Sequence, residues 1–284
     1  MPKHVPSRSA ADARPTQPFL KWAGGKQWLA PRLGPVLARC KGRYYEPFVG
    51  GGAVYFAVRP KPSTLSDANP ELINAFAAIR DSVDAVIRRL RRFDHSAQCY
   101  YRVRASRPRS STARAAKFIY LNRTCWNGLY RVNRQGRFNV PMGRFTHPPD
   151  IIAPDRLRAA SRALAGVSLL CADFADATIR ARKGDMIYFD PPYTVMHTNN
   201  GFLRYNEAIF SWEDQQRLAA VVRRLVRAGV SVVVSSARHD SVRQLYRGLR
   251  PVTLARSSLI AAAPGRRRSV GELLFCSRDL AGVL

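Results

Sequence analysis

Two rhythms of apolar and polar residues divide this 284-residue chain. In the first, short apolar runs end on an acid: Tyr44 to Glu46, a run to Leu65 followed by Asp67, "VSLLCADF" reaching Asp173, and "DMIYFDPPY" reaching Asp190. Runs of that length bounded by turn residues predict strands, with "VSVVVSSA" a buried strand and "GELLFCS" another. The second rhythm is helical. "SWEDQQRLAAVVRRLVRAG" opens with Ser-x-x-Asp at Ser211, carries Leu218, Val221, Val222 and Leu225 at helical spacing, and stops at Gly229. Asn69 before Pro70 predicts an N-cap and a first helical position. Near the start, a Gly-Gly loop leads into a short, proline-interrupted helix with Trp28, Leu29, Leu33, Val36 and Leu37 as its apolar positions.

From residue 81 to 150 the sequence is helical and arginine-rich, as in "RRLRRF" and "RVRASRPRSSTARAAKF". Turn chemistry from Asn133 to Gly136 then predicts a basic β-hairpin. Strand-helix, strand-helix, basic insert, strand, strand, helix, strand is the order of an open α/β sheet interrupted by a module. The expected division is a disordered tail over 1–18, a sheet domain over 19–80 and 151–284, and an inserted domain over 81–150. In such sheets ligands bind at the carboxyl ends of the strands, where Glu46, Asp67, Asp173 and Asp190 all fall. Four acids at successive strand ends point to a nucleoside-bearing cofactor. Gly50, Gly51 and Gly52 let backbone approach it closely, and Asp67 is placed to accept from ribose hydroxyls. The spacing is not G-x-G-x-x-G and no G-K-[ST] loop is present, so a cofactor without phosphates is favoured over NAD or ATP.

Charge adds a partner. Lys+Arg of 47 against Asp+Glu of 19 gives a net charge of +28, which calls for a polyanion, and nucleic acid fits better than a membrane. No run approaches the roughly 20 apolar residues of a membrane span, and "MPKHVPSRSAADARPTQP" lacks the apolar stretch of a signal peptide. Five scattered cysteines show neither zinc spacing nor a disulfide framework, so reduced thiols in a soluble, cytoplasmic protein and no bound metal are expected. In "DPPY" each proline locks φ and removes an N–H, which leaves a rigid acceptor site beside a flat ring. A planar group with an amine fits there, its NH2 against the Asp190 carboxylate and the Pro191 carbonyl, its ring against Tyr193. Adenine is such a group. A strand end with a proline turn is the plainer alternative for this motif alone.

Six co-linear motifs carry a resemblance: "FLKWAGGK", "EPFVGGG", "LSDAN", "LNRTCWNGLYRVNRQGRFNVPMG", "YFDPPY" and "FLRYNEAIFSWEDQ". Together they resemble the DNA adenine methylase family, the D12 class of N6-adenine-specific DNA methyltransferases, in order from Phe19 to about Phe275. The resemblance implies a Rossmann-like methyltransferase sheet, S-adenosyl-L-methionine as methyl donor, and double-stranded DNA as substrate. It assigns Asp190, Pro191, Pro192 and Tyr193 to catalysis on an adenine flipped out of the duplex. It assigns Trp22, Lys26, Glu46, Gly50, Gly52, Asp67, Asp173, Phe174 and Asp190 to the cofactor, with Trp22 and Lys26 at its methionine end and Asp173 and Phe174 at its adenine. Trp22 and Phe174 are core aromatics in the alternative. The insert becomes a mainly helical target-recognition domain with a hairpin, binding DNA through Trp126, Asn127, Arg131, Arg134 and Arg137, with Arg267 in a second basic loop. Arg suits guanine edges and Asn adenine; Trp126 either wedges into the base stack or packs the insert's own core.

The protein is expected to need no obligate protein partner and to act as a monomer or weak dimer. "SSARHD" where the family often has Asn-His-Asp, and Trp at 126 where Tyr or Phe is frequent, leave the target sequence open. An RNA or small-substrate amino-methyltransferase would share the Asp-Pro-Pro-Tyr site but not the 81–150 insert or the N-terminal loop. A non-catalytic DNA-binding protein would have no need of intact Asp190, Tyr193, Lys26 and Asp67.

Overall fold

The computed structural model describes residues 16–147, 149–194, 210–257, 269–280 and 282. The expected tail therefore lies outside the described residues apart from 16–18, as do Arg267 and residues 202–209 of the sixth motif.

Seven strands form one sheet in the order β3-β2-β1-β4-β5-β7-β6. They are β1 (Tyr44–Glu46), β2 (Ser63–Asp67), β3 (Ser168–Cys171), β4 (Met186–Phe189), β5 (Ser231–Ala237), β6 (Arg250–Ser257) and β7 (Ser269–Cys276). The first five run parallel, while β7 enters antiparallel between β5 and β6. The leading order 3-2-1-4-5 is that of the doubly wound nucleotide-binding sheet, whose ligand crevice lies where the order reverses, at β1 and β4. Strand β6 is absent from the sequence expectation. Its residues Arg250 to Ser257 carry four polar positions and Pro251, a composition that suits a strand paired on one side.

Alternation sorts the strand residues onto two faces. Tyr45, Ile187, Phe189, Val232, Val234, Leu273 and Phe275 join one apolar core with Leu218, Ala219, Val222 and Leu225 of helix α8 (Trp212–Arg227). Burying each large apolar side chain is worth about 1.5–3 kcal/mol, so this stripe, more than helix propensity, holds α8 in place. Its start is the capping box expected: Ser211 Oγ accepts from Asp214 N at 3.2 Å and Asp214 Oδ2 from Ser211 N at 3.0 Å. Tyr44, Glu46, Tyr188, Ser235 and Glu272 alternate onto the opposite face, where all five are buried.

The described residues cluster into two compact units, one of 31–50, 60–73 and the residues from 166 on, containing the sheet, and one of 16–30, 51–59 and 74–165. The second takes in the whole of 81–150. Helix α3 (Pro70–Leu90) starts on the expected cap, with Asn69 Oδ1 accepting from Glu71 N and Leu72 N, and kinks at Ser82. Helices α4 (Ala97–Ala105) and α5 (Ser111–Thr124) follow. The expected hairpin is present in reduced form. Asn133 N donates to Arg137 O at 2.8 Å and Asn139 N to Arg131 O at 3.1 Å, but its arms pair only by isolated bridges, Val132 with Phe138 and Cys125 with Met142. Tyr100 Oη donates to Val140 O at 2.9 Å and so anchors one arm to α4.

Candidate active site

At the end of β2, Asp67 holds the glycine loop. Its Oδ2 accepts from Gly50 N at 3.1 Å and its Oδ1 from Asn69 N at 3.0 Å. Gly50 sits at φ 47°, a left-handed conformation that a β-carbon would disfavour. The Asp67 side chain still meets solvent, yet burial outweighs the hydrogen bonds from Asn69, Gly50 and Ala68 and lifts its pKa to about 6. A partly ionised acid at a strand end favours a partner that donates hydrogen bonds.

At the end of β4 comes Asp190, half-buried, then buried Pro191 and half-buried Pro192 and Tyr193. The Tyr193 hydroxyl donates to Glu272 Oε1 on β7. Tyr188 Oη pairs with Ser235 Oγ at 2.6 Å, and Tyr44 Oη donates to Glu46 Oε2 at 2.8 Å. Burial, followed by the nearby carboxylates, raises the pKa values of all three tyrosines well above the ordinary range. Asp190 and Glu272 act on Tyr193, Asp190, Glu46 and Glu272 on Tyr188, and Glu46 and Asp190 on Tyr44. All three remain hydroxyl donors at neutral pH. Glu46, expected at the cofactor, is 3% exposed and engaged with Tyr44.

Asp173 caps helix α7 (Phe174–Ala177), its Oδ1 accepting from Ala175 N at 2.9 Å and pairing with Arg217 at 2.8 Å. Phe174 is 4% exposed, stacks on Phe48 with centroids 5.5 Å apart and lies under the Arg217 guanidinium at 4.8 Å. The ring thus packs as a core aromatic, and the half-buried Phe48 is the more open of the pair.

In the helical unit, Trp22 is half-buried and packs against Phe118 and Tyr130, at 6.4 and 6.0 Å, two rings that are themselves 5.4 Å apart. Lys26 is buried, its Nζ donating to Gly24 O at 2.9 Å. A β-carbon on Gly51 would come within 2.9 Å of Trp22 Cβ, so the glycine permits a close approach there. The end of α5 fastens the Trp22 loop to the turn at Trp126–Gly128. Asn122 accepts from Lys21 N at 2.8 Å and donates to Lys21 O at 2.7 Å and Gly128 O at 3.2 Å. Arg123, its pKa lowered to about 10 by burial, donates to the carbonyls of Phe19, Asp150 and Ile151.

Beyond this clamp Trp126 is 52% exposed and Asn127, Arg131, Arg134 and Arg137 all face solvent. Trp126 is therefore exposed and not packed into the unit's core. Asn127 holds φ 52°, and Arg131 Nε donates to Asn139 Oδ1 at 2.9 Å.

Sequence reasoning missed Glu272, Phe48, Asn139 and the Asn122–Arg123 clamp. The one available signal for Glu272 was an acid inside the apolar run "VGELLF", where burial makes a carboxylate costly.

A sheet with acids at four neighbouring strand ends and an exposed cationic hairpin is the arrangement of a nucleotide-site transferase that reads a polyanion. The family profile described as D12 class N6 adenine-specific DNA methyltransferase matches residues 22–257, and the chain belongs to that family. It is 32% identical over 268 residues to the Type II methyltransferase M1.LlaDCHI of Lactococcus lactis subsp. cremoris, covering 91% of this chain and 94% of that one. It is 33% identical over 284 residues to the Type II methyltransferase M.MjaIII of Methanocaldococcus jannaschii, covering 91% and 98%. With the DNA adenine methylase of Vibrio cholerae serotype O1 it shares 31% over 263 residues, 90% and 94% of the two chains. The protein is an adenine-specific DNA methyltransferase acting at N6. No described helix is long and apolar enough to cross a membrane.

Proposed function

We propose that the methyl donor is S-adenosyl-L-methionine and that the target adenine is flipped out of double-stranded DNA to meet Asp190 and Tyr193. The observation that carries this reading is the row of acids at the ends of β1 to β4, with Asp67 Oδ2 accepting from Gly50 N of the glycine loop and its Oδ1 from Asn69 N. The residues fit the cofactor: Asp67 with a pKa of about 6 suits two ribose hydroxyls, and a loop bent by left-handed Gly50 brings backbone close without a phosphate cradle. Asp173, the ring of Phe174 backed by Phe48, and Glu46 are proposed around its adenosine. Trp22 and Lys26 are proposed, from their motif positions alone, as contacts of its methionine end.

When bound, the cofactor would supply an electrophilic methyl group on its sulfonium sulfur, which would leave as the neutral thioether as N6 takes the methyl, the excess N6 proton passing to water. The protein's part is positioning and electrostatics. Asp190 and the Pro191 carbonyl accept from the amine, which withdraws the nitrogen lone pair from conjugation and aims it along the displacement line. Pro191 and Pro192 hold the acceptors still because both lock φ, and the Tyr193 ring covers the base. In the helical unit, Arg131 and Asn127 are proposed to read base edges, Arg134 and Arg137 to hold phosphates, and exposed Trp126 to enter the gap left by the flipped base. Arg267 is proposed as a further phosphate contact.

The test is methylation of duplex DNA by the purified protein with isotopically labelled S-adenosyl-L-methionine, read as N6-methyladenine by mass spectrometry. Label found on cytosine, or none with the cofactor bound, would overturn the reading.

A further inference from the structure

We propose that Glu272 is a positioning residue for the methylation reaction, fixing the Tyr193 ring and keeping that hydroxyl off Asp190. The inference rests on the reading that Asp190 to Tyr193 receive the target adenine. A phenol carries a single O–H donor, and both Asp190, three residues back, and Glu272, from a distant strand, act electrostatically on the Tyr193 hydroxyl. The donor goes to Glu272 Oε1. Were it to go to Asp190, it would take acceptor capacity that the substrate amine needs.

Glu272 is built for this. It lies 5% exposed in β7, paired between Ala237 of β5 and Leu254 of β6, and its strand neighbours Leu273, Leu274 and Phe275 are all buried. A leucine would make that strand more cheaply, since a buried carboxylate must be compensated by hydrogen bonds. Because β7 is gripped on both sides, its side chain is a firmer anchor than any group on the Tyr193 loop itself. Pro191 and Pro192 lock their own φ but leave the χ angles of Tyr193 free, and the hydroxyl bond to Glu272 restrains the ring.

The test is a double-mutant cycle on single-turnover methylation of one duplex, with E272A, E272Q, Y193F and Y193F/E272A, cofactor and DNA affinity measured alongside, and thermal unfolding as the check on folding. E272A and Y193F should each slow transfer about 10- to 100-fold, with affinities changed less than about threefold, as expected for one charge-assisted hydrogen bond lost. The double variant should be no slower than Y193F, because each change removes the same bond. E272Q keeps an acceptor oxygen of the same reach and should stay within about threefold of wild type. Multiplying losses in the double variant, or E272Q falling as far as Y193F, would overturn the proposal. The E272Q comparison decides it alone if E272A fails to fold. D190A separates the layers: if D190A turns over normally, the adenine-site reading fails, whereas an inactive D190A with an additive cycle sinks only the role of Glu272.

Discussion

In the sheet unit Glu46 and Glu272, 3% and 5% exposed, each take a tyrosine hydroxyl from inside the protein, whereas in the helical unit Trp126, Asn127, Arg131, Arg134 and Arg137 stand in solvent on one loop and hairpin. The difference follows from what each must meet. In the proposed reading a reacting amine requires acceptors held within fractions of an ångström, which suits Asp190 at a strand end fixed by sheet register. DNA grooves and phosphates are met by longer, hydrated side chains, and there rigidity comes from beneath. Asn122 and Arg123, both buried, brace the exposed segment by bonding carbonyls and amides of the neighbouring loops.

Substitutions can break this contrast, and the largest effect is expected at Asp190. Asp190→Ala should cost about 3 kcal/mol or more in the transfer step while cofactor binding largely survives, if, as proposed, its carboxylate serves the substrate amine. Single-turnover rates and calorimetry separate the two, and turnover within about tenfold of wild type would show that the strand-end acid is not the acceptor.

Asp67→Ala should weaken cofactor binding by about 1.5–3 kcal/mol and leave DNA binding nearly unchanged, since it removes a charged acceptor from the ribose and from Gly50. The same residue predicts a pH dependence. Its pKa in the free protein is about 6, and hydroxyl donors prefer the ionised form, so affinity should be level above pH 7 and fall as pH drops through about 6. Calorimetric titrations from pH 5 to 8 check this, and Asp67→Ala should flatten the curve.

On the exposed side, Arg131→Ala should lose about 1–3 kcal/mol of discrimination at one base position, if its guanidinium, steadied by Asn139, reads guanine. Methylation of duplexes with each flanking base varied singly measures it, and an equal loss at every position would make Arg131 a phosphate anchor instead. The smallest effect belongs to Arg134→Ala or Arg137→Ala. Each should weaken binding to all sequences alike and lower the salt slope by about one unit. An unchanged slope would remove these arginines from the phosphate contacts.

Much of this contrast was legible in the chain because it is written in local patterns. The acids after the apolar runs, the Asn69–Pro70 start of α3, the Ser211 capping box and the Asn133–Gly136 turn each depend on residues a few positions apart, and each is present. Cationic excess and the motifs from Phe19 onward carried the rest of the functional expectation. Strand β6 escaped because its polar, proline-bearing pattern is viable only at an edge, and edge position belongs to the sheet, not to the segment. The Tyr100 bond from α4 to Val140 O likewise joins segments 40 positions apart, beyond the reach of local pattern.

The sequence by itself determined six of the seven strands, the starts of α3 and α8, and which acids end strands, since side-chain periodicity and turn chemistry act over a few residues. Only the tertiary structure decided that β7 enters antiparallel between β5 and β6, bringing Glu272 to a tyrosine 79 positions earlier, and that Asn122 clasps Lys21 across 101 positions. Such contacts join segments whose local patterns carry no record of one another. They form because burying the apolar faces selects one arrangement of the whole sheet and bundle, and the polar groups carried inside must then find partners there.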